Sequence, residues 1–237
     1  GLIMMNKKIY VIGDIHGCLE TLKQLYSTFD EACMIISGGD LVDKGPNAMD
    51  VVDFCIDNNI TVIKGNHEHM FVKYMSRYLA GDNIFNTDWY LEWGGKMTVD
   101  SYKTNPEKIR EHINFFNSLP LYKEVTTNNQ NFFITHGFAL PYFDIRDTNE
   151  SYIPFMSNRL YGKYFDIKNI NELEKFNTIN IFGHDSFINV QSHNLYYAID
   201  TGCVYDKTSH TGGCLTTIEL NTKEIISVDV IDIVNYH

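Results

Sequence analysis

No two cysteines in this chain are spaced C-x-x-C, and the five present (Cys18, Cys33, Cys55, Cys203, Cys214) are an odd number. That argues against a thiolate zinc site and a disulfide framework, and the expectation is reduced thiols in a cytoplasmic protein. No stretch approaches the roughly 18 apolar residues a membrane span needs, so no membrane partner is expected. The opening residues Gly1-Leu2-Ile3-Met4-Met5 are apolar but lead at once into Lys7-Lys8, and no signal peptide is expected. Internal repeats, low-complexity tracts and an interdomain linker are also missing. Cations are scarce: 19 Lys and Arg against 30 Asp and Glu, a formal net charge of −11 with no basic stripe. A nucleic-acid backbone is therefore not expected as a partner. A phosphorylated substrate stays open, because metal ions and one or two cationic side chains reverse the sign inside a cleft.

What is present is ordinary for a globular chain. The length, 237 residues, allows one large domain or two small ones, and a core that needs no staples. Aromatics are plentiful at 14%, with 15 Tyr and 15 Phe, which argues against disorder.

Three times in the first half an apolar run stops at glycine with a polar metal-type donor beside it. Lys8–Ile12 ends at Gly13-Asp14-Ile15-His16-Gly17. Cys33–Ser37 ends at Gly38-Gly39-Asp40-Leu41-Val42-Asp43-Lys44-Gly45-Pro46. Ile60–Ile63 ends at Gly65-Asn66-His67-Glu68. Helical spacing follows each run: Leu19, Leu22, Leu25, Tyr26 and Phe29; then Val51, Val52, Phe54, Cys55 and Ile56; then residues 69–79. Apolar strands alternating with helices predict a buried, mostly parallel sheet, whose ligands sit beyond the carboxyl ends of the strands. Residues 83–119, with Trp89, Trp93 and Gly94-Gly95, read as a helical, cap-like insertion. The second half reads as mostly β. Leu121–Val125 and Phe132–Thr135 form a hairpin around Asn128-Asn129, ending at His136-Gly137. Ile179–Phe182 ends at Gly183-His184, Tyr196–Gly202 is a further strand, and Leu215–Leu220 with Ile225–Ile231 close the chain as a hairpin. The whole predicts two sheets packed face to face with helices outside.

Asp14, His16, Asp40, Asn66, His136 and His184 thus share one topological position, each near a glycine. Each has a plain structural reading alone: Asp14 suits a helix N-cap, Asp40 and Asn66 suit turns, and a single histidine needs no ligand. Six together argue otherwise. Mixed oxygen and nitrogen donors without thiolate suit manganese, iron or zinc. Six donors are too many for one ion with an open position. They suit two ions sharing a carboxylate, an arrangement that clamps a phosphoryl group. His69, His112, His193, His210 and His237 lack this setting.

The ordered segments GDIHG, GDLVDKGP, GNHE, HG, FGH and IDTG resemble the metallophosphoesterase superfamily, and more closely its phosphoprotein phosphatase branch, from about Ile9 to Leu220. The resemblance implies a four-layer αββα sandwich, two mixed sheets with flanking helices, as one domain over residues 1–237. It implies one metal held by Asp14, His16 and Asp40, with Asp40 bridging to a second held by Asn66, His136 and His184. Manganese is the first expectation and iron or zinc the alternatives. It makes His67 the general acid, oriented by Asp43, and gives Lys44, Arg159 and Asn66 the phosphate oxygens. Two cations make water nucleophilic near neutral pH, so direct attack is expected, without a phospho-enzyme. Three departures stand out. Lys44 occupies a position where the family has Arg, and supplies one compact charge in place of a planar fork. Phe155–Arg159 lacks the Trp often found two residues before the Arg. Asp185 and Phe138 replace smaller or Thr residues. The expected substrate is a phosphoserine or phosphothreonine protein, or a phosphorylated small molecule, acted on by a monomer or weak oligomer. The alternative is a dinucleoside tetraphosphate. Symmetrical tetraphosphatases usually carry Ala in place of Asp43 and GNHD in place of GNHE, which favours the first.

Overall fold

The structure, a computed structural model, describes residues 7–205, 207–208 and 210–234. The expectations for the opening residues and for His237 fall outside them. The elements run β1 (Lys8–Ile12), α1 (Leu19–Tyr26), β2 (Cys33–Ser37), α2 (Ala48–Asp57), β3 (Thr61–Val62), α3 (Asn66–Leu79), α4 (Asp88–Leu91), α5 (Gly95–Ser101) and α6 (Lys108–Asn117). Then come β4 (Tyr122–Thr127), β5 (Gln130–Thr135), α7 (Tyr152–Ser157), β6 (Ile179–Phe182), β7 (Gln191–His193), β8 (Tyr196–Ala198), β9 (Cys214–Glu219) and β10 (Ile225–Asp229).

They build two five-stranded mixed sheets with flanking helices. The first has order β10-β9-β1-β2-β3, and β1, β2 and β3 are mutually parallel. The second has order β4-β5-β6-β8-β7, with β5, β6 and β8 parallel. Side chains alternate across each strand. Ile9 and Val11 of β1, Ile36 of β2 and Ile218 of β9 meet Phe132 and Ile134 of β5 and Ile181 of β6 between the sheets. Truncating Phe132 here would cost about 3–5 kcal/mol by the usual penalty for an emptied core site. The opposite faces carry the helices. Ile12 and Ile35 pack with Leu22, Leu25, Val51 and Val52. Phe182, Tyr196 and Ala198 pack with Leu140, Ile170 and Leu173 from two 3-10 helices, Leu140–Ile145 and Ile167–Phe176.

Residues 83–119 are helical, but they do not stand apart as a cap. Ile84, Trp89, Val99, Ile109 and Phe116 enter the same apolar cluster as α1, α2 and α3. Their aromatic and aliphatic spacing closes the layer over the first sheet. The third strand is shorter than its apolar run suggests, because past Ile63, whose N–H still donates to Ser37 O, the backbone leaves the ladder and Lys64 N–H donates to Pro120 O at 2.9 Å. Strand β7 has no apolar alternation to announce it, and the predicted strand Tyr196–Gly202 stops at Ala198.

Candidate metal centre and active site

Parallel pairing brings the carboxyl ends of β1, β2, β3, β5 and β6 to one edge of the sandwich. Hydrogen bonds across the sheets record this: His136 Nδ1 meets Gly38 O at 2.8 Å, and His184 N–H reaches Asp14 Oδ1 at 3.3 Å. Left-handed backbone aims the side chains inward. His16, Asp40, Asp43, Lys44 and His184 all have positive φ, between 44° and 74°. Such strain in non-glycine residues clusters where a site requires it. Glycines make the room: a Cβ on Gly65 would lie 2.2 Å from Asp40 Oδ1, and one on Gly183 would lie 2.2 Å from Asp14 Oδ1.

All six expected ligands meet there. Asp40 Oδ2 is 3.0 Å from His136 Nε2 and 3.6 Å from His16 Nε2. Asn66 Oδ1 is 3.1 Å from His136 Nε2, and Asp14 Oδ2 is 3.8 Å from His16 Nε2. Two tight groups share Asp40: His16, Asp40 and His67, and Asp40, His136 and His184. With Nδ1 of His16 donating to Val42 O and Nδ1 of His136 to Gly38 O, both at 2.8 Å, Nε2 of each ring is the atom turned to the centre.

Whether this set fits cations can be judged from its charges. Asp14 Oδ2 is buried without a hydrogen-bond partner, as a carboxylate oxygen awaiting a cation would be. Burial, with Asp200 adding to it, pushes the Asp14 carboxyl well above the usual range. Burial would raise Asp40 too, but the His136 and His67 imidazoles hold it well below. Burial disfavours a charged His136, yet Asp40 and Asp14 raise it to about 10. Burial, helped by the neighbouring His136, lowers His184 to about 3. Crowded, desolvated carboxylates and imidazoles of opposing tendency, with one orphaned oxygen, fit a pair of divalent cations.

Beside the centre, His67 Nδ1 meets Asp43 Oδ2 at 2.7 Å. Asp43 is fully buried and held from three sides: Trp89 Nε1–H donates to Oδ2 at 2.7 Å, Thr98 Oγ1–H donates to Oδ1 at 2.7 Å, and the Asp43 N–H donates to Thr98 Oγ1 at 2.8 Å. Tyr74 stacks on Trp89 at 5.2 Å. Sequence reading missed Trp89 and Thr98 as partners. A buried Trp demands an acceptor, but nothing local says which. It also missed Glu68, whose carboxylate accepts the N–H groups of Asp40, Leu41 and Gly65 and so ties β2 to the start of α3. Asp200, fixed by Ser186 and Gly202, stands behind Asp14.

The three expected phosphate contacts divide. Asn66 sits within the cluster. The Lys44 ammonium bonds the Tyr205 hydroxyl and lies 4.8 Å from that ring's centroid, and its charge reaches His16. Arg159 pairs with Asp185, beside His184, and its side chain is 60% exposed. It stands at the rim.

A two-sheet sandwich with a carboxylate–imidazole cluster at its strand ends defines a phosphoesterase-type metal hydrolase. A model of the calcineurin-like phosphoesterase family matches residues 7–211, and the chain belongs to that family, whose members are dinuclear, metal-dependent enzymes. It is 29% identical to serine/threonine-protein phosphatase 2 of Escherichia coli (strain K12), over 83% of this chain and 88% of the relative. It is 25% identical to the symmetrical bis(5'-nucleosyl)-tetraphosphatase of Neisseria gonorrhoeae (strain NCCP11945), over 92% and 94%. Among solved structures, a protein serine/threonine phosphatase from Saccharomyces cerevisiae superposes with a TM-score of 0.66 at 16% identity, over 98% of this chain and 82% of that one. No helix among the described residues is long and apolar enough to cross a membrane.

Proposed function

We propose that this chain hydrolyses phosphate monoesters, with phosphoserine and phosphothreonine of proteins as substrates. The observation that carries the reading is the 2.7 Å contact between His67 and a carboxylate held by Trp89 and Thr98. An alkoxide leaves poorly without a proton, and this pair is built to supply one. Asp43 accepts from Nδ1, so the exchangeable proton of the imidazolium sits on Nε2 and faces the cleft. A general acid so placed contributes about 10²–10⁴-fold.

Asp14, His16 and Asp40 would hold one divalent cation, and Asp40, Asn66, His136 and His184 a second, with manganese the first choice from the oxygen and nitrogen donors. When bound, such ions neutralise phosphoryl charge and lower the pKa of water. The remaining work falls to side chains. Asn66, Lys44 and Arg159 grip the phosphate oxygens, with Lys44 steadied by Tyr205 and Arg159 by Asp185. Positioning and charge stabilisation carry most of the acceleration in such chemistry. All five thiols are unpaired, in keeping with a cytoplasmic enzyme.

Phosphate release from a phosphoserine peptide, set beside cleavage of diadenosine tetraphosphate, both with Mn²⁺, tests the reading. Peptide turnover is the expected result. Efficient nucleotide cleavage with no peptide turnover would overturn it in favour of a tetraphosphatase.

A further inference from the structure

We propose that the first turns of α3, with Tyr152 and Lys64, form a second anion subsite beside the scissile phosphate, which takes a carboxylate side chain flanking the phosphorylated residue of a peptide. The inference rests on the protein-phosphatase reading above.

Asn66, His69 and Lys73 fall at i, i+3 and i+7 of one helix, so they share a face. At about 1.5 Å rise per residue the row runs some 10 Å away from the metal centre, beginning at Asn66, which touches His136. His69 lies about one turn along it. Tyr152, the first residue of α7, packs against that turn: its hydroxyl is 2.9 Å from His69 Nδ1 and its ring is edge-on to the imidazole at 5.4 Å. With the phenol donating to Nδ1, Nε2 keeps its proton and is a donor. Lys64 completes the patch. It is 8% exposed, with its ammonium 6.0 Å from the Tyr152 ring centroid.

The patch is cationic in a chain of net charge −11. Lys8, Lys96 and Lys108 sit in ion pairs with carboxylates. Lys64 and Lys73 face aromatic rings, as Lys44, Lys163 and Lys175 also do. The carboxylate whose field reaches Lys64 is Glu68, and its oxygens are occupied by three backbone N–H groups. At His69, burial first and then the cations Lys64 and Lys73 hold the imidazole below its usual range, so the charge it senses is positive. Two cations, the buried Lys64 and the exposed Lys73, whose fields both reach the His69 N–H donor, match an anion. Side chains on one side of an extended peptide recur about every 7 Å. A phosphate at the metal centre therefore brings a carboxylate one or two residues away over His69 and Lys73.

The test measures how peptides compete with para-nitrophenyl phosphate hydrolysis by the Mn²⁺-loaded protein at low ionic strength. Two phosphoserine peptides are compared, with Glu or Gln at the neighbouring positions. The Glu peptide should compete about tenfold better. Lys73→Glu should abolish that preference and His69→Gln should reduce it, both leaving para-nitrophenyl phosphate turnover unchanged. Equal competition by the two peptides in the native protein, or a preference that survives Lys73→Glu, overturns the proposal. Competition does not require turnover. Glu-preferring peptides that bind without releasing phosphate would therefore sink the protein-phosphatase reading while supporting the subsite. A Lys73 dependence seen with diadenosine tetraphosphate and absent from the Glu peptide would assign the patch to a polyphosphate chain and overturn the peptide assignment.

Discussion

Asp43→Asn removes one negative charge while leaving the hydrogen bonds around it satisfiable. Oδ2 receives both His67 and Trp89, and Oδ1 receives the Thr98 hydroxyl. An asparagine turned so that its carbonyl takes the two N–H donors puts its amide toward Thr98 Oγ1, which has a lone pair to accept it. The fold should therefore survive, and the missing charge is what the experiment reads. A charge-assisted hydrogen bond is worth about 1.5–3 kcal/mol and a neutral one about 0.5–1.5, so the lower bound on lost imidazolium stabilisation is roughly 1–2 kcal/mol, about tenfold in rate. Unit charges about 4 Å apart at an effective dielectric of about 20 interact by about 4 kcal/mol, which sets an upper bound near a thousandfold. The assay compares leaving groups. An alkyl phosphate such as a phosphoserine peptide needs the proton, and para-nitrophenolate departs without one. The turnover number should fall about 10- to 1000-fold on the peptide and less than about threefold on para-nitrophenyl phosphate. Equal losses on both would show that Asp43 does not act through the proton on His67.

Trp89→Phe keeps a ring to stack on Tyr74 but loses one donor to Asp43, and peptide turnover should drop about three- to tenfold, a smaller version of the same leaving-group pattern. Gly183→Ala would place a Cβ 2.2 Å from Asp14 Oδ1, so bound metal measured by mass spectrometry should fall together with activity while circular dichroism stays native. His112 is buried between Asp53 and Tyr102, and burial holds its imidazole below the usual range, only partly offset by Asp53. The unfolded chain takes up a proton near pH 6.5 that the folded chain resists. This contribution to stability is therefore complete above that pH and is lost below it. Thermal melts of the Mn²⁺-loaded protein from pH 7.5 to 5 should fall more steeply for the native chain than for His112→Gln.

The meeting of the six proposed ligands was legible because each donor ends an apolar run beside a glycine, a pattern short enough to survive in local sequence. Asp14, His16, Asp40, Asn66, His136 and His184 meet in the structure as that pattern implied. The support around them was not legible. Trp89 and Thr98 reach Asp43 from 46 and 55 residues away, and no periodicity encodes such a contact. The helical character of 83–119 was readable, but its place was not: a buried face looks the same whether it closes a shared core or a separate lobe. Strand β7, with Gln191, Ser192 and His193, is held by its pairing to β8 and has no apolar alternation to read. Lys44 was visible as a departure from the family, but only the fold brings Tyr205 to it.

The six clustered donors are proposed to hold two cations joined at Asp40. Metal content per chain, measured by mass spectrometry after loading with Mn²⁺ and removal of free ions, tests this most directly. Two ions per native chain are expected, and at most one, weakly held, in Asp40→Asn. One ion or none in the native chain, or two retained without the Asp40 carboxylate, would contradict it.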